Sequence, residues 1–266
     1  MTSFDLAARH APAPRFVTRH LRFADISYAL RRGVDDFWAM PSHLVFLGLL
    51  YPIAGLIIGM VSAGQNAFWL LYPLLSGFLL IGPFAAIGLY EISRQRERGD
   101  TPTWKAAFSV VHAPNIGSIL ALGGLLAVLF IAWLTAAHLM YMAFFGEAPA
   151  KSYSQFFGQI LGSPEGLQLI IAGNFVGLLF AIVALALSVF SFPLMLDREV
   201  GLNVALRTSL RVVRQNPFMV ALWGAMVGLL LFAGMAAALM GLAVVMPVLA
   251  HATWHFYRRA IGPPLA

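Results

Sequence analysis

His251 and His255 are the side chains in this chain best spaced for chemistry. Four residues apart on a helix, their imidazoles share one face, which suits joint coordination of a metal ion. His43, His112 and Glu91 fall at the same predicted membrane surface, so a further ligand from another helix is geometrically available. Two ligands from one helix do not complete a site. The same histidines also have a plainer use: with Trp254 and Tyr257 they read as an interfacial belt that hydrogen-bonds to headgroups and helix ends. Glu91 and Asp197 read either as cation or proton ligands or as salt-bridge partners of Arg94 and Arg198. Arg207, Arg211 and Arg214 recur at helical spacing. They could hold anionic lipid headgroups, each adding roughly 1 kcal/mol near an anionic surface, or serve only to orient the chain.

Other chemistry is excluded by what the chain lacks. With no cysteine, there are no disulfides, thiolate metal sites or Cys nucleophiles. There is no Gly-rich phosphate loop, no His-Glu metalloprotease motif and no serine elbow, and Ser76-Gly77 has no predicted partner base. No ionisable residue except His138 lies well inside a predicted span, whereas ion-coupled transporters normally need an acid or lysine near midplane. These absences predict no catalytic residues and no cofactor, in short a protein that is not an enzyme.

The elements that position these residues are membrane helices. The chain is 60% hydrophobic and 11% charged over 266 residues, against about 25% charge in soluble domains. Pro41 to Tyr90, Ala106 to Gly146, Gly166 to Leu196 and Gln215 to Tyr257 carry no charge. Hydrocarbon admits apolar helices of about 20 residues and excludes charge. The first stretch divides at Ser62 to Asn66 into spans from about His43 to Met60 and Phe68 to Tyr90. The second gives Ile116 to Met142 and the third Gln168 to Leu196. Phe218 to Tyr257, as one helix, would run about 60 Å, twice the hydrocarbon thickness; a turn near Gly234 to Gly241 divides it.

Six spans result, and of 17 Lys and Arg only Lys151 then falls outside. The positive-inside rule puts both termini in the cytoplasm. Residues 1–24 are expected as a cytoplasmic tail, 25–261 as one membrane domain and 262–266 as a second tail. The polar N-terminal segment does not read as a signal peptide. The net charge of +6 sits beside span ends, where it meets headgroups rather than nucleic acid.

A repeat underlies the spans. Three times an amphipathic segment precedes a proline and a helical hairpin. In the first, Ile26, Leu30, Val34, Phe37 and Trp38 form the apolar face, opposed by Arg31, Arg32, Asp35 and Asp36. Trp104, Phe108 and Val111 form it before Pro114, and Leu206, Leu210 and Val213 before Pro217. Such segments describe helices lying in the cytoplasmic interface. Small residues at four-residue spacing, Gly55 and Gly59, Gly173 and Gly177, Gly224 and Gly228, allow close helix contact. The fold class expected is therefore all-α: a polytopic membrane protein of six helices as three hairpins, each preceded by an interfacial amphipathic helix.

Several pieces of the chain, Ala29-Leu-Arg-Arg-Gly33, Gly82-Pro-Phe84, Gly88-Leu-Tyr-Glu91, Asp197-Arg198, Asn216-Pro217 and His251-Ala-Thr-Trp-His255, resemble the domain-of-unknown-function 2189 family of predicted bacterial integral membrane proteins. The resemblance spans about Phe23 to Ile261 and implies a bacterial inner-membrane protein of six spans, with no activity attached. The expected role is a non-enzymatic accessory, scaffold or lipid-interacting module, with membrane lipids and a membrane-protein partner or second copy as partners. A facilitator for a neutral or apolar solute is the alternative, suggested by kinked helices and the polar Ser76, Asn174, Ser188 and Ser191. A metal- or haem-linked respiratory accessory protein is the third reading, resting on His251 and His255.

Overall fold

The computed structural model describes residues 14–40, 70, 72–74, 76, 82–84, 86–146, 153–236 and 241–265. The first expected span, His43, Gly55, Gly59 and Lys151 lie outside the described residues. In chain order the elements are β1 (Phe16–Thr18), α1 (Phe23–Ala39), α2 (Ile87–Glu97) and α3 (Ala106–Ser109), the last extended by a 3-10 turn at Val110–His112. Then come α4 (Ile116–Phe145), α5 (Tyr153–Gly162), α6 (Pro164–Ser188) and α7 (Ser191–Arg198). The chain closes with α8 (Leu202–Gln215), α9 (Pro217–Ala236), α10 (Leu242–Ala260) and β2 (Ile261–Pro264).

Among the described residues, three helical runs are long and apolar enough to cross a membrane: α4, the run Pro164–Arg198 that joins α6 and α7, and Pro217–Gly234 of α9. They are apolar on every side, as helices surrounded by hydrocarbon or protein must be. No more than 33% of any of these windows is buried inside the protein. Val128, Ile131, Phe175 and Leu229 point outward, as on a surface solvated by lipid tails. The ends are set by local chemistry. Gly146 closes α4 at φ 69°, a left-handed position that favours glycine. Ser163 caps α6 by accepting a hydrogen bond from Gly166 N at 3.0 Å, with Pro164 in the first turn.

The expected division of the last apolar stretch is present. α9 ends at Ala236 and α10 begins at Leu242. The two helices approach closely here: a Cβ on Gly234 would lie 2.9 Å from Leu242 Cδ2 and 3.1 Å from Leu242 N. The expected small-residue contacts are only half realised. A Cβ on Gly177 would meet Trp133 Cη2 at 3.2 Å and one on Gly224 would meet Leu185 Cδ2 at 2.6 Å, but Gly173 and Gly228 face open space.

α1 and α8 pack on the protein through a face that only partly overlaps the apolar face expected to lie in the interface. α1 buries Ile26, Ala29, Gly33, Asp36 and Phe37. Val34 and Trp38, expected on that face, are exposed, and Asp36, expected opposite, is 1% exposed. The reason is backbone approach. A Cβ on Gly33 would lie 2.7 Å from Ala252 Cβ, Ala252 N and Val248 O, so α1 rests on α10 along its smallest side chains rather than its largest. α8 likewise buries Ala205, Thr208, Ser209 and Val212, with Leu206, Leu210 and Val213 half-buried on the flank. Trp104, Phe108 and Val111 are exposed, as residues turned toward the interface are.

α10 changes character along its length. From Leu249 to Tyr257 all but Thr253 are buried, and Trp223 of α9 stacks on Phe256 with ring centroids 4.4 Å apart. Residues 16–18, in the expected N-terminal tail, pair antiparallel with β2, Thr18 opposite Ile261. Asn216 fixes this strap to the start of α9: its Oδ1 accepts from Leu21 N at 2.7 Å and its Nδ2 donates to Arg19 O at 3.0 Å.

Candidate functional site

The polar residues gather where α1, α2, α7 and α10 meet, and Asp36 is their hub. The close crossing at Gly33 and Ala252 carries the next turn of α1 onto α10, and Asp36 therefore enters the protein. A buried carboxylate is tolerated only with partners, and Asp36 has four. His255 Nε2 lies 2.9 Å from its Oδ2. Ser93 Oγ donates to the same oxygen at 2.5 Å. Arg96 Nη1 pairs with Oδ1, and His251 Nδ1 stands 4.0 Å from Oδ2. Burial pushes the Asp36 pKa up, but hydrogen bonds from His255 and Ser93 and the nearby imidazoles outweigh it and hold the carboxyl below its ordinary value.

The bonding order also assigns a tautomer. Ser93 gives its proton to Asp36, so at its 2.8 Å contact with His251 Nδ1 it accepts. His251 Nδ1 is then the protonated nitrogen, and Nε2, a bare lone pair, is buried with no hydrogen-bond partner among the described residues. This is not the order of a hydrolytic triad. There the serine proton passes to histidine and the acid holds the histidine; here Ser93 passes its proton to the acid, and both Ser93 and His251 are 0% exposed.

Around this hub the remaining acids are committed to neighbouring bases. Glu91 takes Arg94 Nε at 2.7 Å, Arg94 Nη2 at 2.9 Å and Gln95 Nε2 at 2.7 Å. Glu97 accepts from Trp254 Nε1 and Arg258 Nε, both at 3.0 Å. Asp197 accepts from Tyr257 Oη at 2.7 Å and Arg258 Nη1 at 3.1 Å, and forms an ion pair with Arg198, whose Nε lies 3.0 Å away. Asp25 accepts from Arg259 Nε at 2.6 Å.

His251 and His255 thus lie together, as their spacing predicts, but each already spends one nitrogen on the Asp36 and Ser93 network. Glu91 is drawn away to Arg94 and Gln95 and, with His112, lines a separate cleft of about 200 Å³. His43 lies outside the described residues. No group of three His, Asp or Glu able to hold a metal ion occurs among the described residues. Trp254 and Tyr257, expected in an interfacial belt, are fully buried and bonded to Glu97 and Asp197. Of the polar residues that suggested a solute path, Ser76, Asn174 and Ser188 bond to backbone carbonyls one turn back, at 2.8, 2.8 and 2.6 Å. Ser191 Oγ has no partner among the described residues.

The third group of expected site residues sits apart. Arg207 and Arg211 of α8 line a cleft of about 450 Å³ that Pro14 and Arg15 also line. Asn203 and Thr208 complete it, and Arg214 is not part of it. Sequence reasoning missed Arg15, because nothing in a tail of scattered arginines marks which one a strand will carry to α8. It also missed Asp36, Ser93 and Arg96; the stripe of Ile26, Ala29, Gly33 and Asp36 was the available signal.

The family model described as a predicted integral membrane protein, DUF2189, matches residues 71–197. The expected resemblance holds over that stretch, which runs from before α2 to the end of α7 and includes Glu91, Ser93, Arg96 and Asp197. Asp36, His251, His255 and the cleft on α8 lie outside it. No curated protein and no solved structure matches the chain.

Proposed function

For an integral membrane protein of this build, we propose a non-enzymatic accessory module of a bacterial inner membrane, one that engages anionic lipid and a membrane partner through its cytoplasmic layer. The observation that carries this reading is how the charges are divided. The carboxylates at the junction of α1, α2, α7 and α10 are consumed in holding those helices to one another. The arginines of α8 are exposed over a buried apolar and hydroxyl face, the arrangement of a helix that rests on headgroups.

Six spans with both termini cytoplasmic remain the topology this reading uses. Hydrogen-bonded pairing of Phe16–Thr18 with Ile261–Pro264 supports an even number of crossings between them, because paired strands must share one side of the bilayer. The outward Trp38, Trp104, Phe108 and Val111 support interfacial seating of the amphipathic segments.

Purification of the whole protein in mild detergent tests the role. Anionic phospholipid, enriched over zwitterionic lipid relative to the source membrane, or a stoichiometric membrane partner should accompany it. A solitary protein carrying lipid only at the bulk ratio contradicts the proposal.

A further inference from the structure

We infer that the cleft between Arg15 and α8 is a binding site for a phosphate group, with Arg15, Arg207 and Arg211 as its ligands. This deepens the lipid reading above by giving it a defined site, and it rests on that reading only for the source of the phosphate.

Three observations point the same way. The cleft, about 450 Å³, is lined by Arg15, beside the N-terminal strand, and by Arg207 and Arg211 of α8. Arg207 and Arg211 are four residues apart, so they are neighbours on one helix face, where like charges repel. Five other arginines of the polar layer are paired: Arg94 with Glu91, Arg96 with Asp36, Arg198 and Arg258 with Asp197, and Arg259 with Asp25. Among the described residues, none of Arg15, Arg207 and Arg211 meets a carboxylate. Arginines that line one cleft without an internal counterion suit a phosphate, because the planar guanidinium donates two parallel hydrogen bonds to its oxygens.

The neighbours refine the chemistry. Thr208 is 3% exposed and donates to Val204 O at 2.8 Å, so it is wall rather than donor. Asn203 is exposed at the rim and free to contact a hydroxyl or ester oxygen. Pro14 and Val204 give the cleft an apolar side, suited to the glycerol carbons of a phosphodiester headgroup. The anion can come from a phospholipid or from free phosphate.

Detergent-solubilised full-length protein, titrated with dihexanoylphosphatidylglycerol and separately with inorganic phosphate at constant ionic strength, provides the test. Binding should weaken about tenfold or more in Arg207→Gln and in Arg211→Gln, since charge-assisted bonds are lost, and also in Arg15→Gln. Arg98→Gln, an exposed arginine just after α2 and outside the cleft, should bind as the native protein does. Response to the lipid alone identifies a headgroup site, and response to phosphate alone identifies a soluble anion; either upholds the site. Equal losses in Arg98→Gln and Arg207→Gln indicate diffuse surface charge and overturn the site while leaving the lipid reading in place. No binding of either probe by the folded native protein overturns it as well. Phosphate bound at the cleft by a protein that retains no anionic lipid on purification upholds the site and removes the lipid reading.

Discussion

At the residue scale the molecule turns on Asp36. Helical spacing alone put His251 and His255 on one face, and adjacency alone paired Glu91 with Arg94 and Asp197 with Arg198; all three are found. The burial of Asp36 was not legible, since its neighbour Asp35 is exposed and a diad of acids reads as solvated. Only the depth to which Gly33 lets α1 approach α10 decides which of the two enters. Truncating one partner of a buried ion pair costs about 3–5 kcal/mol, so Asp36→Ala should lower the unfolding midpoint strongly, whereas Asp35→Ala should change it little; equal effects would show that the hub does not form. The pH dependence follows from the lowered Asp36 value. A carboxyl whose folded value lies below its unfolded one, near 3.9, contributes fully above about pH 4 and loses that contribution as pH falls through the folded value. Acid destabilisation in that window should be shallower in Asp36→Asn than in the native protein, as read by unfolding midpoints across pH.

At the scale of elements, composition identified the helices better than it identified their faces. The apolar stretches, the break between α9 and α10, and the amphipathic segments before Pro114 and Pro217 follow from hydropathy, glycine and proline. Which side of α1 and α8 is buried does not, because their contact surfaces set Ala29 and Gly33, or Ala205, Thr208 and Ser209, among the apolar Ile26, Phe37 and Val212. In a bilayer the large apolar side chains have lipid as an alternative solvent, so close backbone packing selects small ones. Gly33→Ala should therefore be costly: its methyl would stand 2.7 Å from Ala252 and Val248 atoms that belong partly to backbone. Overpacking of this kind costs about 1–3 kcal/mol. Gly173→Ala, facing open space, should be neutral or slightly stabilising in a helix. Thermal unfolding of the two variants separates these outcomes, and equal stability would contradict the α1–α10 crossing. The short pairing of β1 with β2 had no sequence signal, since three residues of a polar tail carry no periodicity.

At the scale of the whole molecule, apolar helices exposed to lipid are capped by a layer in which the acids at the junction of α1, α2, α7 and α10 pair with bases, while the α8 arginines meet no carboxylate among the described residues. The scarcity of midplane ionisable residues, visible in the sequence, and the internal pairing of the interfacial acids, visible only in the fold, together favour a structural role at the membrane surface. The central claim is that this surface is specific for anionic lipid. Its most direct test is the unfolding midpoint of the full-length protein in vesicles of phosphatidylcholine with and without phosphatidylglycerol, at low and high salt. The midpoint should rise with phosphatidylglycerol, the rise should shrink at high salt, and it should be largely lost in an Arg207→Gln/Arg211→Gln variant. A midpoint indifferent to phosphatidylglycerol at low salt, or a rise that the variant retains in full, would contradict the account.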